Sequence, residues 1–225
     1  MTGTLVNTAT VVAGAVVGLM AGNRLPERIK SIVLDALGLI TIWIAVTMII
    51  RGSRPLEIVG SLIAGGMIGE WIGIEAWLAR FGEWLKVRSR SGSGTFVNGY
   101  VTASLLFCVG PMTIVGCIQD GTTGDATLLL TKSVMDGFAA MALAATTGIG
   151  VLFSAATVIV IQGSLTLLGR HLADLTIPAT LDQLSAVGGM IILGLGIRLL
   201  GLKDIRVGNF LPALVVIVVL LQILH

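Results

Sequence analysis

The run GTLVNTATVVAGAVVGLMAG, from Gly3 to Gly22, holds no charged side chain over 20 residues. At about 1.5 Å of rise per residue it forms a helix about 30 Å long, the thickness of a bilayer's hydrocarbon core. The same pattern recurs at about 31–50, 56–73, 96–118, 126–146, 150–169, 183–201 and 207–224. Of the 225 residues, 55% are apolar and 12% charged, against roughly 25% charged in soluble domains. Mean hydropathy is +1.01. These values exclude a soluble globular fold, a nucleic-acid-binding module and a disordered chain. They predict an all-α fold: a polytopic helical membrane bundle of about eight transmembrane helices, seven if one segment fails to cross. No connection is long enough to hold a soluble domain, so 1–225 reads as a single integral membrane domain. The first segment lacks a basic leader and reads as a retained helix.

Polar turns punctuate the runs: Asn23-Arg24-Leu25-Pro26-Glu27, Arg51-Gly52-Ser53-Arg54-Pro55, Ser91-Gly92-Ser93-Gly94 and the acidic turn Asp120-Gly121-Thr122-Thr123-Gly124-Asp125. A weaker break is expected at Thr146-Thr147-Gly148-Ile149-Gly150. Residues 70–88 follow a different rule. Trp71, Ile74, Leu78, Phe81 and Leu85 recur at helical spacing with Trp77 and Trp84 beside them, while Glu75, Arg80, Glu83, Lys86 and Arg88 fill the opposite face. This predicts an amphipathic interfacial helix at about 74–88, following a bend near Gly73.

Lysine and arginine counts orient the chain. With eight crossings and the N-terminus outside, nine basic residues face the cytoplasm (Arg24, Arg28, Lys30, Arg80, Lys86, Arg88, Arg90, Lys203 and Arg206) and three (Arg51, Arg54 and Arg170) face out. A re-entrant 96–118 segment changes the division to eight and four. Either way the basic 80–90 segment is expected to be cytoplasmic. Internal similarity is faint. Thr4-Leu5-Val6-Asn7 matches Thr95-Phe96-Val97-Asn98, and Lys30-Ser31 before Asp35 matches Lys132-Ser133 before Asp136. A second register sets Gly38 and Gly60 against Gly188 and Gly208. The first register makes about 1–79 and 95–170 inverted repeats, with 183–225 as added helices.

Candidate functional groups follow from what a membrane interior penalises. Gly110-Pro111 breaks the fourth segment; proline lacks an amide donor and leaves a carbonyl of the preceding turn free. Lys132 and Asp136 lie one turn apart on one face, with Asp136 near the middle of its span, so the carboxyl must be paired, protonated or hydrated. A locked ion pair, or a lysine reaching the interface, would account for them structurally. A proton or cation site would account for them functionally. Asn7, Asn98, Gln119, Gln162 and Asn209 add hydrogen-bonding groups that either bridge helices or line a path. Asp120 and Asp125 give an outer turn negative charge. Arg198, deep in its span, requires an acidic partner or an interfacial reach. Gly14, Gly18 and Gly22, and Gly65, Gly69 and Gly73, form GxxxG faces suited to tight packing within the chain or to a homo-oligomer. Cys108 and Cys117 are out of phase on a helix and read as packing residues. His171 and His225 stand apart from any serine- or threonine-rich span. No metal-ligand set, cofactor motif or catalytic motif is present, so no enzymatic activity and no cofactor are expected.

Several strings together resemble a known family. They are Gly22-Asn23-Arg24-Leu25-Pro26-Glu27-Arg28; Ser104 to Met112, then Gly116 and Asp120-Gly121; Lys132-Ser133 and Asp136-Gly137; Gly148 and Gly150; Ser154-Ala155 and Gln162-Gly163; and Asn209-Phe210-Leu211-Pro212-Ala213. The chain resembles, over essentially its whole length, the YqgA/YdfK-like bacterial integral membrane proteins, the family called domain of unknown function 554. The resemblance implies a multi-pass protein of a bacterial inner membrane and supplies no substrate. The residues themselves point to a transporter or channel for protons, small cations or a small polar solute, with a lipid bilayer as surroundings. The alternative is a non-transporting scaffold acting through the basic segment and the glycine faces.

Overall fold

The computed structural model describes residues 1–22, 24–169 and 177–223, the side chain of Pro111 excepted. Asn23, Arg170, His171 and His225 lie outside the described residues. The chain forms α1 (Thr2–Gly22), α2 (Glu27–Ile49), α3 (Pro55–Ile72), α4 (Ile74–Arg88), α5 (Phe96–Cys108), α6 (Pro111–Thr122), α7 (Thr127–Thr147), α8 (Gly150–Leu167) and α9 (Pro178–Leu199). A 3-10 turn, Val207–Phe210, then leads into α10 (Ala213–Ile223). Among the described residues the regular structure is helical throughout.

Local chemistry sets the boundaries. Pro55, Pro111 and Pro178 occupy first turns, where the missing amide costs nothing. Glu27 lies in the first turn of α2, where the helix dipole favours an anion. Gly73 ends α3 in the left-handed region (φ 73°), which a residue with a Cβ rarely adopts, and so permits the bend into α4. Between α7 and α8, the expected weak break is a turn at Gly148.

Six helices (α1, α2, α3, α7, α8 and α9) are individually long and apolar enough to cross a membrane. The expected 96–118 span is instead the pair α5–α6, bent by 60°. Its ends show that it traverses. Thr95, just before α5, hydrogen-bonds the Thr147 carbonyl at the end of α7, and Gly150 packs on the Phe96 carbonyl. At the far end, Gly121 of α6 packs on Thr166 at the end of α8, and Gly116 on Leu129 at the start of α7. The pair therefore runs from one end of the α7–α8 hairpin to the other, as a kinked crossing. The expected span at 207–224 is shorter than predicted as an α-helix, because its first residues form the 3-10 turn. With that turn, α10 lies antiparallel to α3, Asn209 against Gly69 and Leu220 against Gly60.

Helix directions agree throughout. α1 runs parallel to α7, with Gly3 beside Leu129, Gly14 beside Gly137 and Gly22 beside Ala145. α2 runs antiparallel to α9, with Gly38 beside Leu200 and Ala45 beside Gly189. Counting α5–α6 and the α10 segment as crossings, the alternation is unbroken. One face of the molecule then carries the α1–α2 turn, residues 73–95, the α7–α8 turn and the α9–α10 connection. The other carries Met1 and the α2–α3 and α6–α7 turns. In the latter turn, the Thr127 hydroxyl and amide hydrogen-bond the Asp125 carboxyl and hold it below the usual carboxylate range.

The glycine faces are closed from within the chain. A Cβ on Gly14, Gly18 or Gly22 would overlap the carbonyls of Gly137, Met141 and Ala145 on α7; on Gly65 or Gly69 it would overlap the backbone of Ala213 and Asn209. Gly14, Gly18, Gly22, Gly65 and Gly69 thus serve packing within the chain, whereas a Cβ on Gly73 would meet only Ala76 at 3.9 Å. Two apolar clusters form the interior, one centred on α2, α5, α9 and α10, the other on α1, α5, α7 and α8, and Leu106 packs against both. Large apolar side chains such as Trp43, Trp71 and Phe138, 68%, 89% and 68% exposed, point outward, as lipid-facing helices require.

Candidate functional site

The break between α5 and α6 creates the central polar feature. In an α-helix the Phe107 carbonyl would accept from the amide of residue 111, and proline has none. Gly110 adopts φ 150°, accessible to glycine, and turns the chain away. The freed Phe107 carbonyl faces inward. It accepts hydrogen bonds from Lys132 Nζ at 2.9 Å and Thr113 Oγ1 at 3.3 Å, with Gln162 Nε2 at 3.5 Å. Lys132 also ion-pairs with Asp136 Oδ2. Asn7 Nδ2 donates to Asp136 Oδ2 at 3.0 Å and to Gln162 Oε1 at 3.1 Å. Groups from α1, α5, α7 and α8 thus converge at one buried point. Asn7 and Gln162 are fully buried, and Lys132 and Asp136 nearly so. Asn7 Oδ1 is buried without a partner among the described residues.

Polar groups continue from this point to the Met1 face. One turn before Asn7 on α1, Thr4 Oγ1 lies 3.1 Å from Thr166 Oγ1, itself one turn beyond Gln162 on α8. Beyond them the Asp120 carboxylate accepts from the Met1 ammonium at 2.9 Å and the Gly3 amide at 3.0 Å. Toward the other face Val11, Ala103, Phe107, Ala140, Leu143 and Val151 pack together, all fully buried, with the buried hydroxyls of Ser104 and Ser154 on the same stretches of α5 and α8.

A second polar site lies on the 73–95 face. Glu75 Oε1 pairs with Arg198 Nη1 at 2.5 Å, its Oε2 accepts from the Gly208 amide at 2.6 Å, and its amide donates to Asn209 Oδ1 at 2.8 Å. Arg198 Nε reaches Asp204 at 3.0 Å. Asn209 Nδ2 donates to Glu70 at 2.7 Å, and Arg206 ion-pairs with Glu70. Beside this network is a cavity of about 510 Å³ lined by Glu75, Asn98, Arg198, Lys203 and Asp204 and reaching inward to Val101.

Of the residues singled out in the sequence, Asn7, Lys132, Asp136 and Gln162 come together at the Gly110-Pro111 break. The others do not join them. Asn98 is exposed at the mouth of the cavity, because it lies at the start of α5, about three turns before the break. Asn209 is bound to Glu75 and Glu70. Gln119 is half-buried on α6. Asp120 belongs to helix α6, not to an acidic turn, and is held by Met1 and Gly3. Glu75, expected on the exposed polar face of the amphipathic helix, is buried as the partner of Arg198. The helix otherwise has the expected character, with Leu78 and Gly82 buried and Trp77 and Trp84 outward, stacked on Phe81. Sequence reasoning missed Thr4 and Thr166, and it expected a freed carbonyl in the turn before Pro111 without naming Phe107. That residue was signalled by its place four residues before Pro111.

Comparison with known proteins is consistent with this architecture. Residues 2–222 match a family described as Protein of unknown function (DUF554). The chain is 31% identical over 217 residues to the Escherichia coli (strain K12) protein named Uncharacterized protein YqgA, covering 94% of this chain and 92% of that one. It is 29% identical over 229 residues to the Bacillus subtilis (strain 168) protein named Uncharacterized membrane protein YdfK, covering 100% and 97%. No solved structure matches the chain.

Proposed function

The chain belongs to the DUF554 family of membrane proteins, and, because membership brings no activity with it, we propose from the buried cluster that it is a small transporter. The observation that carries this reading is the convergence of Asn7, Lys132, Asp136 and Gln162 on a carbonyl freed by a broken helix. Charges at this depth are expensive and mark ion or solute pathways, and broken helices with free carbonyls are how many transporters build their sites. The surroundings fit one-sided access. Polar side chains lead from the Met1 face to Asp136, an apolar plug follows, and the charged cavity opens from the opposite face. Alternation between the two sides requires the plug around Phe107 and Leu143 to part.

The 73–95 face is assigned to the cytoplasm of a bacterial inner membrane. It holds Arg24, Arg28, Lys30, Arg80, Lys86, Arg88, Arg90, Lys203 and Arg206, whereas Arg51 and Arg54 lie on the other side. The helix polarities suit an inverted repeat: α1, α2 and α3 run opposite to α5–α6, α7 and α8. The Arg198–Glu75 network would then stand at the cytoplasmic mouth.

The test is transient current from proteoliposomes adsorbed on a solid-supported membrane, with separate proton, sodium and potassium jumps. The expected result is a current evoked by one ion and abolished in Asp136→Asn. A current that survives unchanged in Asp136→Asn and Lys132→Ala, both folded, would remove the site from the reading. Silence to every jump, with no uptake of small polar solutes, would favour a scaffold.

A further inference from the structure

We infer that the ion taken up at Asp136 is the proton and that the site excludes alkali cations. This rests on the transport reading above and names its ion. Three features of the geometry carry it.

The first is occupancy. Asp136 Oδ2 is held by the Lys132 ammonium, which also takes the Phe107 carbonyl, and by Asn7 Nδ2. An entering sodium or potassium ion would have to sit beside that positive charge or displace it from a carboxylate one helical turn away on the same helix. A proton needs no coordination shell and can add to the carboxylate in place.

The second is the orientation of Asn7. Both of its N–H groups are spent, one on Asp136 and one on Gln162 Oε1. Reversing the amide would set its oxygen against two acceptors, so the orientation is fixed by its partners. Its Oδ1 is left as a fully buried acceptor without a donor. Such an acceptor needs a donor or a cation next to Asp136; with the Lys132 nitrogen already on the carboxylate, a water carrying the proton supplies it.

The third is the approach. From the Met1 face the route passes the paired hydroxyls of Thr4 and Thr166, both buried. Thr166 Oγ1 donates to the Gln162 carbonyl at 2.8 Å and so accepts from Thr4; rotation of the two hydroxyls can hand on a proton without the helices separating. A hydrated alkali ion would require them to open.

The groups facing Asp136 are few. Among the described residues α7 contributes Lys132, α5 the titratable Cys108 and α6 the titratable Cys117, which interacts with Lys132, whereas α1 and α8 contribute the amides of Asn7 and Gln162, and α2 brings Leu37 to the adjoining core. Protonation takes the Asp136 charge from −1 to 0 and breaks the Lys132–Asp136 ion pair. The hydrogen bond from Lys132 Nζ to the Phe107 carbonyl ties that change to the helix break. Proton binding therefore acts on the kinked α5–α6 crossing, the element that would have to move.

Infrared difference spectroscopy of the full chain in lipid tests this, by titrating pH and following the carboxylic-acid C=O stretch. A band lost in Asp136→Asn is expected, with a midpoint identical in sodium, potassium and choline chloride at equal ionic strength. In Lys132→Ala, where the seat is vacated, sodium or potassium is expected to shift that midpoint to lower pH. A cation-dependent midpoint in the unaltered protein would overturn the inference and leave transport standing, with a metal ion as the substrate. Absence of the band at every pH, in protein that passes current, would overturn it as well. Absence of any current or uptake would instead remove the transport reading on which it rests.

Discussion

Lys132 and Asp136 are near enough in sequence to find each other on one helix face, so their pairing was legible at a spacing of four. The rest of their surroundings was not. Asn7 and Gln162 lie 129 and 26 residues from Asp136 along the chain, and nothing local in the sequence says which face of α1 or α8 meets α7. Arg198 is the complementary case. Its depth demanded an acid, yet its partner Glu75 sits 123 residues away, on a helix whose periodicity placed it among solvated charges. The buried Lys132–Asp136 pair makes a stability prediction. Removing one member leaves an uncompensated buried charge, which costs about 3–5 kcal/mol. Lys132→Ala and Asp136→Asn should each lower the thermal midpoint in detergent markedly. The double variant should be less destabilised than the sum of the two, since no charge is then left without a partner. Additive losses in the cycle would mean that the two side chains do not interact as described.

Among the elements, apolar runs and turn residues located most helices to within a few residues, because length and hydropathy decide what can cross a bilayer. Tertiary contacts decided the remainder. The GxxxG faces could serve either the chain itself or a second copy, and the structure uses Gly14, Gly18 and Gly22 for the approach of α1 to α7. Gly18→Ala should therefore force the Met141 carbonyl away and destabilise by about 1–3 kcal/mol, the usual cost of overpacking. Gly60→Ala is the control. Its Cβ would meet only Leu220 Cδ1 at 3.9 Å, an ordinary contact, and alanine's higher helix propensity should make it neutral or stabilising by up to about 1 kcal/mol. Thermal unfolding of the two variants followed by size-exclusion chromatography separates these outcomes. Equal stability would remove the α1–α7 contact as described.

For the whole molecule, the charge asymmetry and the number of apolar runs left open whether 110–120 crosses, re-enters or only kinks. Sequence could not settle it, since a bend at Gly110-Pro111 is compatible with each. What decides it is the contact of each end with a different end of the α7–α8 hairpin, Thr95 with Thr147 and Gly121 with Thr166. A traversing, kinked α5–α6 places Gly92 and Thr123, both exposed, on opposite sides of the membrane. In a background with Cys108 and Cys117 replaced by alanine, Gly92→Cys should label with a membrane-impermeant maleimide only after the cells are opened. Thr123→Cys should label in intact cells. Lys203→Cys should behave as Gly92→Cys, because the α9–α10 connection shares that face through Arg198 and Glu75. If Gly92→Cys and Thr123→Cys were reached from the same side, α5–α6 would be re-entrant and every later helix would reverse. The Asp120 and Thr4–Thr166 contacts would then be untenable, and with them the polar route to Asp136. The topology and the proposed pathway thus stand or fall on which side these cysteines are reached from.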